Sequence, residues 1–302
     1  MPIRQLCLFI LDFVFYLALN QPLYAATFAP DGDVIGSITH YAVRKKDNLY
    51  GIARRFDLGI VEVLAANPGV DPWQPEEGTE LTLPTTHILP PVHEGIVLNL
   101  SELRLFYFAG NGTVMTFPIG IGREGWQTPI GSTTVVLKRK NPAWIPPDSI
   151  REENPNLPDI VPPGPDNPLG RYALNLDMPG IRIHGTNRPY GIGKRSSHGC
   201  IRLYPEDIER LFNAVDAGTP VTILDNPYKL GWRGNTLLLE VTPTQEQDDI
   251  IAEYRIPHPV SLPEIYDAIR QIAGNVTIDW HTVDQTVAAH AGIPVIISRI
   301  SR

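Results

Sequence analysis

Apolar and polar positions fall into distinct regimes along the chain. Leu6 to Leu19 is an apolar run broken only by Asp12, with Arg4 before it and Ala25 and Ala26 after it. A positive start, a short apolar run and small residues form the grammar of a secretory signal peptide over residues 1–25. The run is short for a membrane span. An uncleaved interfacial or membrane anchor is the alternative that Asp12 keeps open. Residues 27–38 read as a linker. From Thr39 the spacing tightens: Tyr41 and Val43 alternate as a strand, and Asp47 is placed to cap a helix with Leu49, Ile52, Ala53 and Phe56 inward. Gly59 ends that helix. Ile60, Val63 and Leu64 predict a second one, closed at Asn67-Pro68-Gly69. Leu81 to Leu83 predict a returning strand, stopped by Pro84. Residues 85–95 read as a second linker.

The middle of the chain is strand-rich. Ile96 to Phe108 predicts a strand or hairpin arm, Asn111-Gly112 a hairpin turn, and Val114 to Ile121 the return. Ser132 to Lys138 and Thr219 to Leu224 are further β runs. The clearest helix here is Glu206 to Val215, entered after Pro205 and left at Gly218. Between Pro142 and Pro168 the density of proline excludes helix and disfavours a central strand. Trp144, Ile145 and Ile150 give this excursion something to pack with. It reads as an ordered lid or wall over a site, against the plainer reading of a surface loop. Beyond Gly231 the pattern changes again. Thr236 to Val241 predicts a strand. Thr244 to Glu253, Leu262 to Ala273 and Val283 to Ala291 predict helices. Val276 to Ile278 and Val295 to Ile297 predict short strands. This α+β tail, residues 231–302, carries no motif for chemistry and reads as an accessory lobe or partner surface.

Composition narrows the function. The chain has 302 residues, 43% hydrophobic and 19% charged, as expected for globular domains rather than disorder. A formal net charge of −8 leaves no basic footprint for nucleic acid or an anionic lipid surface. Thirty prolines favour turns and fixed loops over long helices. There are two cysteines, Cys7 and Cys200. Removal of residues 1–25 leaves Cys200 alone, so no internal disulfide is available to it. It is then either a small buried hydrophobe or a reactive thiol.

The surroundings of Cys200 favour the second. His184-Gly185-Thr186 lies upstream and Ser197-His198-Gly199 directly precedes it. A nearby histidine can take the thiol proton, and a glycine lets the chain turn so that sulfur and backbone N–H groups face one cleft. A zinc site from His184, His198 and Cys200 lacks the usual paired ligand spacing. Gly120-Ile-Gly122-Arg-Glu-Gly125 matches a dinucleotide string, but the turn at Trp126-Gln127-Thr128-Pro129 replaces the required helix. Ser196 and Ser197 lack a Gly-x-Ser-x-Gly elbow. Arg171, Arg182, Arg188, Lys194 and Arg195 flank the site as candidate carboxylate partners or as solvated loop charges.

Two resemblances follow from these strings. Tyr41-Ala-Val43, Asp47-Asn-Leu49, Ile52-Ala53, Asn67-Pro68 and Gly78-Thr-Glu-Leu81-Thr-Leu83-Pro84 resemble a LysM module over residues 39–85, with Lys46 where the family usually has glycine. That resemblance implies a βααβ module binding N-acetylglucosamine-containing glycans such as peptidoglycan. His184-Gly185 followed by Ser197-His198-Gly199-Cys200-Ile201-Arg202, with Thr128-Pro129-Ile130-Gly131 and Asn141-Pro142-Ala143-Trp144, resembles the YkuD-type L,D-transpeptidases over residues 93–225. The fold implied is multidomain: a mostly β catalytic domain, a YkuD-like β-sandwich of mixed sheets with a short helix, between the LysM module and the α+β lobe.

The roles implied make Cys200 the nucleophile and His184 the general base and then acid. The Gly185 carbonyl orients His184, and His198 shapes the pocket. The amides of Gly199 and Cys200 form an oxyanion hole, and Arg202 holds the nucleophile loop or a substrate carboxylate. Ser197, Thr186 and Trp144 are the expected substrate contacts. No cofactor or metal is implied. The substrate implied is a peptidoglycan tetrapeptide stem. The acceptor implied is a second diaminopimelate or the lysine of an outer-membrane lipoprotein, and the setting periplasmic. Two other readings stand beside this one: a cysteine hydrolase on the same fold, and a non-catalytic LysM scaffold.

Overall fold

The structure is a computed structural model that describes residues 27–257 and 261–299. The expected signal peptide lies outside them. Among the described residues no helix is long and apolar enough to cross a membrane.

A nine-stranded mixed sheet dominates. From edge to edge it runs Thr27–Phe28, Val114–Pro118, Arg104–Phe108, Gly95–Asn99, Pro220–Leu224, Gly131–Lys140, Tyr172–Leu176, Arg182–His184 and Ile201–Arg202. The long strand Gly131–Lys140 makes the sheet turn. Its first four residues pair with Pro220–Leu224 and its later ones with Tyr172–Leu176, with an irregularity between Val135 and Leu137. A bulge there adds bend and twist. The two halves then share one apolar cluster, in which Leu98, Leu105 and Phe117 from one half meet Leu174, Ile183 and Ile201 from the other. The expected strand over Ile96–Phe108 is a tight hairpin of Gly95–Asn99 with Arg104–Phe108, reversed at Leu103 in the left-handed region. Helix Pro205–Ala214 packs Ile208 and Leu211 beneath it.

The N-terminal unit has the expected strand, helix, helix, strand order: Thr39–Ala42, Leu49–Arg55, Ile60–Ala66 and Glu80–Leu83. The helix cap differs from expectation. Asn48, not Asp47, accepts the Gly51 amide, while Asp47 accepts from the Tyr41 hydroxyl at 2.6 Å. Asn67 holds the unit closed, bonding the Val63 carbonyl and both backbone groups of Thr82.

Neither expected linker is one. Val34–Gly36 from the first pairs with Thr86–Ile88 from the second, and Val34, Ile35 and Ile88 are buried. Alternation over three residues is too short to stand out in sequence. The excluded helix is also present: Asp148–Glu153 forms one short turn after Pro146-Pro147, because proline at a helix start loses no bond. The C-terminal lobe begins three residues earlier than expected, with the hairpin Tyr228–Arg233 and Thr236–Val241. It has its own core of Leu237, Leu239, Ile265, Ile269, Val283 and Ile297.

Candidate active site

Strand register decides which side chains meet. Ile183 pairs with Ile201 and His184 with Arg202, in parallel. Both isoleucines are fully buried in the core. Side chains alternate along a strand, so His184, Arg202 and Cys200 share the opposite face.

His184 is 3% exposed. Its Nδ1 lies 2.5 Å from the Gly185 carbonyl. A carbonyl can only accept, so Nδ1 carries the proton and Nε2 is left as the basic nitrogen. Burial, reinforced by the positive charges of Arg202 and Arg182, pushes the imidazole down to about 3. It is therefore neutral at physiological pH. The fit at Gly185 is close: a Cβ there would stand 3.1 Å from Ile208 Cγ2, which would have to give by a few tenths of an ångström.

Cys200 Sγ donates to the Gly180 carbonyl at 3.4 Å. Burial pushes the thiol up, and Arg182 and Arg202 pull the other way. The resting pair is thus a thiol and a neutral imidazole on one face. Gly199 sits at φ +93°, a conformation that L side chains rarely adopt. Its carbonyl accepts from Thr128 Oγ1 at 3.0 Å, and that hydroxyl in turn accepts from the Gly122 amide at 3.0 Å. Ser197 Oγ donates to the Cys200 carbonyl at 2.6 Å. Arg202 pairs both its backbone groups with Gly120 at 2.8 Å and donates from Nη1 to Ser196 O at 3.3 Å. The Cys200 turn is thereby fixed on both sides, while the amides of Gly199 and Cys200 bond no described residue.

The proline-rich excursion lies against this face. His198 Nε2 meets Glu153 Oε2 at 2.9 Å, and Glu153 also holds Arg123 at 2.7 Å. Those two partners hold the Glu153 carboxyl below its ordinary range. Trp126 packs edge-on against the His198 ring at 4.9 Å. Asn167, fully buried, ties the excursion to itself through the carbonyls of Pro142, Val161 and Pro162. Trp144 bridges to Val161 and roofs a cavity of about 80 Å³.

The catalytic-domain family of L,D-transpeptidases (YkuD) matches residues 93–223, and the LysM domain family matches residues 41–84. The probable L,D-transpeptidase ErfK/SrfK of Salmonella typhimurium is 38% identical over 295 residues, covering 94% of this chain and 93% of that protein. The probable L,D-transpeptidase YbiS of Escherichia coli is 39% identical over 251 residues, 80% of this chain and 81% of that protein. This chain belongs to the L,D-transpeptidase family. Among solved structures, L,D-transpeptidase 3 from Mycobacterium tuberculosis is similar at 23% identity over 49% of this chain and 66% of that one, with a TM-score of 0.33.

Several candidate residues in this L,D-transpeptidase stand elsewhere than expected. Ser197 is fully buried behind the Cys200 turn and donates its hydroxyl to the Cys200 carbonyl, so it braces that turn. Thr186 is 5% exposed and its Oγ1 accepts the Arg188 amide in a local turn. Trp144 does line the cavity. The flanking cations separate as well: Lys194 donates to the Tyr50 hydroxyl, Arg195 pairs with Asp249, and Arg171 lies over the Tyr172 ring. Arg182 alone of the five lines the cavity. Thr128, Glu153 and Asn167 are contacts of the site that its sequence pattern does not mark: Thr128 lies in the Thr128-Pro129-Ile130-Gly131 string, whereas Glu153 and Asn167 sit in a segment whose proline content hides its contacts.

Proposed function

We propose that this chain is an exported cysteine L,D-transpeptidase acting on peptidoglycan tetrapeptide stems. The observation that carries the reading is the register that sets Cys200 and His184 on one face, with His184 Nδ1 engaged by Gly185 and Nε2 left basic. Rotation of Sγ from the Gly180 carbonyl towards His184 lets Nε2 take the proton as sulfur attacks. The carbonyl attacked joins the L-centre of diaminopimelate to the terminal D-Ala. The amides of Gly199 and Cys200 receive the oxyanion. His184 returns the proton to the departing D-Ala nitrogen, and a thioester remains. An amine acceptor, deprotonated by His184, then attacks the thioester and frees the thiol. That acceptor is a second diaminopimelate, giving a 3–3 cross-link, or the lysine of an outer-membrane lipoprotein. The LysM module holds the glycan strand. Residues 1–25 direct the chain to the periplasm.

Intact-protein mass spectrometry with a disaccharide-tetrapeptide tests the reading beside a Cys200→Ala control. An adduct of substrate minus D-Ala on the wild type, absent from the control, is the expected result. Wall-fragment binding by both proteins, with neither adduct nor D-Ala release, overturns it in favour of the scaffold reading.

A further inference from the structure

The face that carries His184 and Cys200 continues across two more strands. Ala173 pairs with His184 and Asn175 with Arg182; on the next strand Arg139 pairs with Ala173. The shared alternation puts Arg139, Ala173, Asn175, Arg182 and His184 on one floor. Ala173 is the small residue in the middle, and the cavity stands over it under Trp144 and Leu169. A second, more open cleft on the other side of Arg182 is lined by Asn175, Gly180 and Arg182, and Gly180 is the residue whose carbonyl Cys200 Sγ touches.

Two features of this floor lack their complement. Neither Arg139 nor Arg182 meets a carboxylate among the described residues. The Asn175 Oδ1 is buried and has no hydrogen-bond donor. A buried acceptor without a donor costs free energy, and paired guanidinium groups suit a carboxylate. Neighbouring strands are about 5 Å apart, so Arg182, level with Cys200 on the next strand, lies within one amino-acid side chain of the sulfur; Asn175 stands one strand beyond it, and Arg139 lines the far side of the same cavity.

We propose that Arg139, Asn175 and Arg182 form a subsite for an amino-acid zwitterion, the D-centre of the diaminopimelate side chain, with the guanidinium groups on its carboxylate and Asn175 Oδ1 accepting from its ammonium. The identity of the ligand rests on the transpeptidase reading; the subsite itself rests on the floor. Arg182 has a second effect in this arrangement. It faces Cys200, so a carboxylate seated on it withdraws positive charge from the thiol and the imidazole together.

The test is calorimetric titration of the full chain carrying Cys200→Ala, which binds without turnover. Two tetrapeptides serve as probes, one with meso-diaminopimelate at the third position and one with L-lysine, which keeps the ammonium and lacks the carboxylate. The expected result is a preference of about tenfold for the diaminopimelate stem, as one charge-assisted pair provides. Adding Arg182→Gln or Arg139→Gln shrinks that ratio to threefold or less, whatever each does to the absolute affinities. Asn175→Leu weakens both stems, since both keep the ammonium. Equal affinity for the two stems, or a ratio unchanged in Arg182→Gln, overturns the subsite. Arg182→Gln weakening both stems alike also overturns it, because the guanidinium then serves the terminal D-Ala carboxylate. A ratio that behaves as expected alongside a wild type that forms no adduct leaves the subsite standing and removes the transpeptidase reading.

Discussion

At the residue scale the site is set by what burial does to two protons. His184 resists protonation down to about 3, and burial raises the Cys200 thiol. Alkylation of Cys200 by iodoacetamide is therefore expected to rise through a pKa above the ordinary thiol value of about 8.5. A rate already flat at pH 7 contradicts this. The same histidine affects stability. Its folded value lies below its unfolded one, so between the two the unfolded chain binds a proton that the folded chain refuses. Stability is complete above about pH 6.5 and is lost as pH falls towards 3. Urea unfolding at pH 7 and pH 4.5 is expected to show a larger acid loss in wild type than in His184→Gln, and equal losses argue against it. Lys46 gives a second test. It sits at φ +72°, where a lysine is strained, and this explains why glycine is usual there. The left-handed region costs a non-glycine residue about 1–2 kcal/mol, partly offset by the greater unfolded freedom of glycine. Lys46→Gly is expected to raise stability by roughly 0.5 kcal/mol in denaturant titration.

At the scale of elements, what could be read from sequence depended on periodicity. The helices at Leu49 and Ile60, the Asn111-Gly112 turn and the helix after Pro205 announced themselves through spacing and punctuation. The candidate residues His184, Cys200 and Arg202 were legible as a string, and the strand register brings them to one face. What escaped was structure made by long-range partners. Val34–Gly36 and Thr86–Ile88 are strands only because they pair with each other, and Asp148–Glu153 is a helix despite its prolines. One tie of the proline-rich excursion is a buried side chain that no pattern marks, Asn167. Asn167→Ala strips the Pro142 and Pro162 carbonyls of their donor, while the Val161 carbonyl keeps the Trp144 amide, and two such bonds are worth about 2 kcal/mol in place. Hydrogen exchange over residues 142–168 should accelerate by at least tenfold while the strand Gly95–Asn99 stays protected. Uniform acceleration across both would show that the segment is not a separate element.

At the scale of the whole molecule, one buried charge cluster joins the units. Lys229 Nζ meets Glu102 Oε1 at 2.7 Å, Glu240 Oε2 at 3.2 Å and the Ile88 carbonyl at 2.6 Å, and His87 stands 3.4 Å from Glu102. These residues come from the C-terminal hairpin, the turn between Gly95–Asn99 and Arg104–Phe108 of the main sheet, and the strand Thr86–Ile88. A second buried pair ties the N-terminal unit in: Arg104, 1% exposed, holds Glu62 with two bonds of 2.9 Å. Removing one partner of a buried pair leaves a charge uncompensated, at a cost of about 3–5 kcal/mol. Lys229→Met is expected to lower stability by that amount and to unfold in the same single transition as wild type. Separate transitions for the C-terminal lobe and the main sheet would show that the cluster does not couple them.

Gly59 and Gly193 touch backbone to backbone: a Cβ on Gly193 would fall 2.3 Å from the Gly59 Cα, and one on Gly59 would fall 2.7 Å from the Gly193 Cα. Gly59 begins the second helix of the N-terminal unit, and Gly193 lies in the loop that leads into Ser197 and Cys200. The two units are therefore not interchangeable parts. A foreign module with the same fold but alanine in place of Gly59 would be wedged away from the loop leading to Cys200. Recombination among relatives can exchange this module only together with its docking glycine, so the pair should be inherited as one unit.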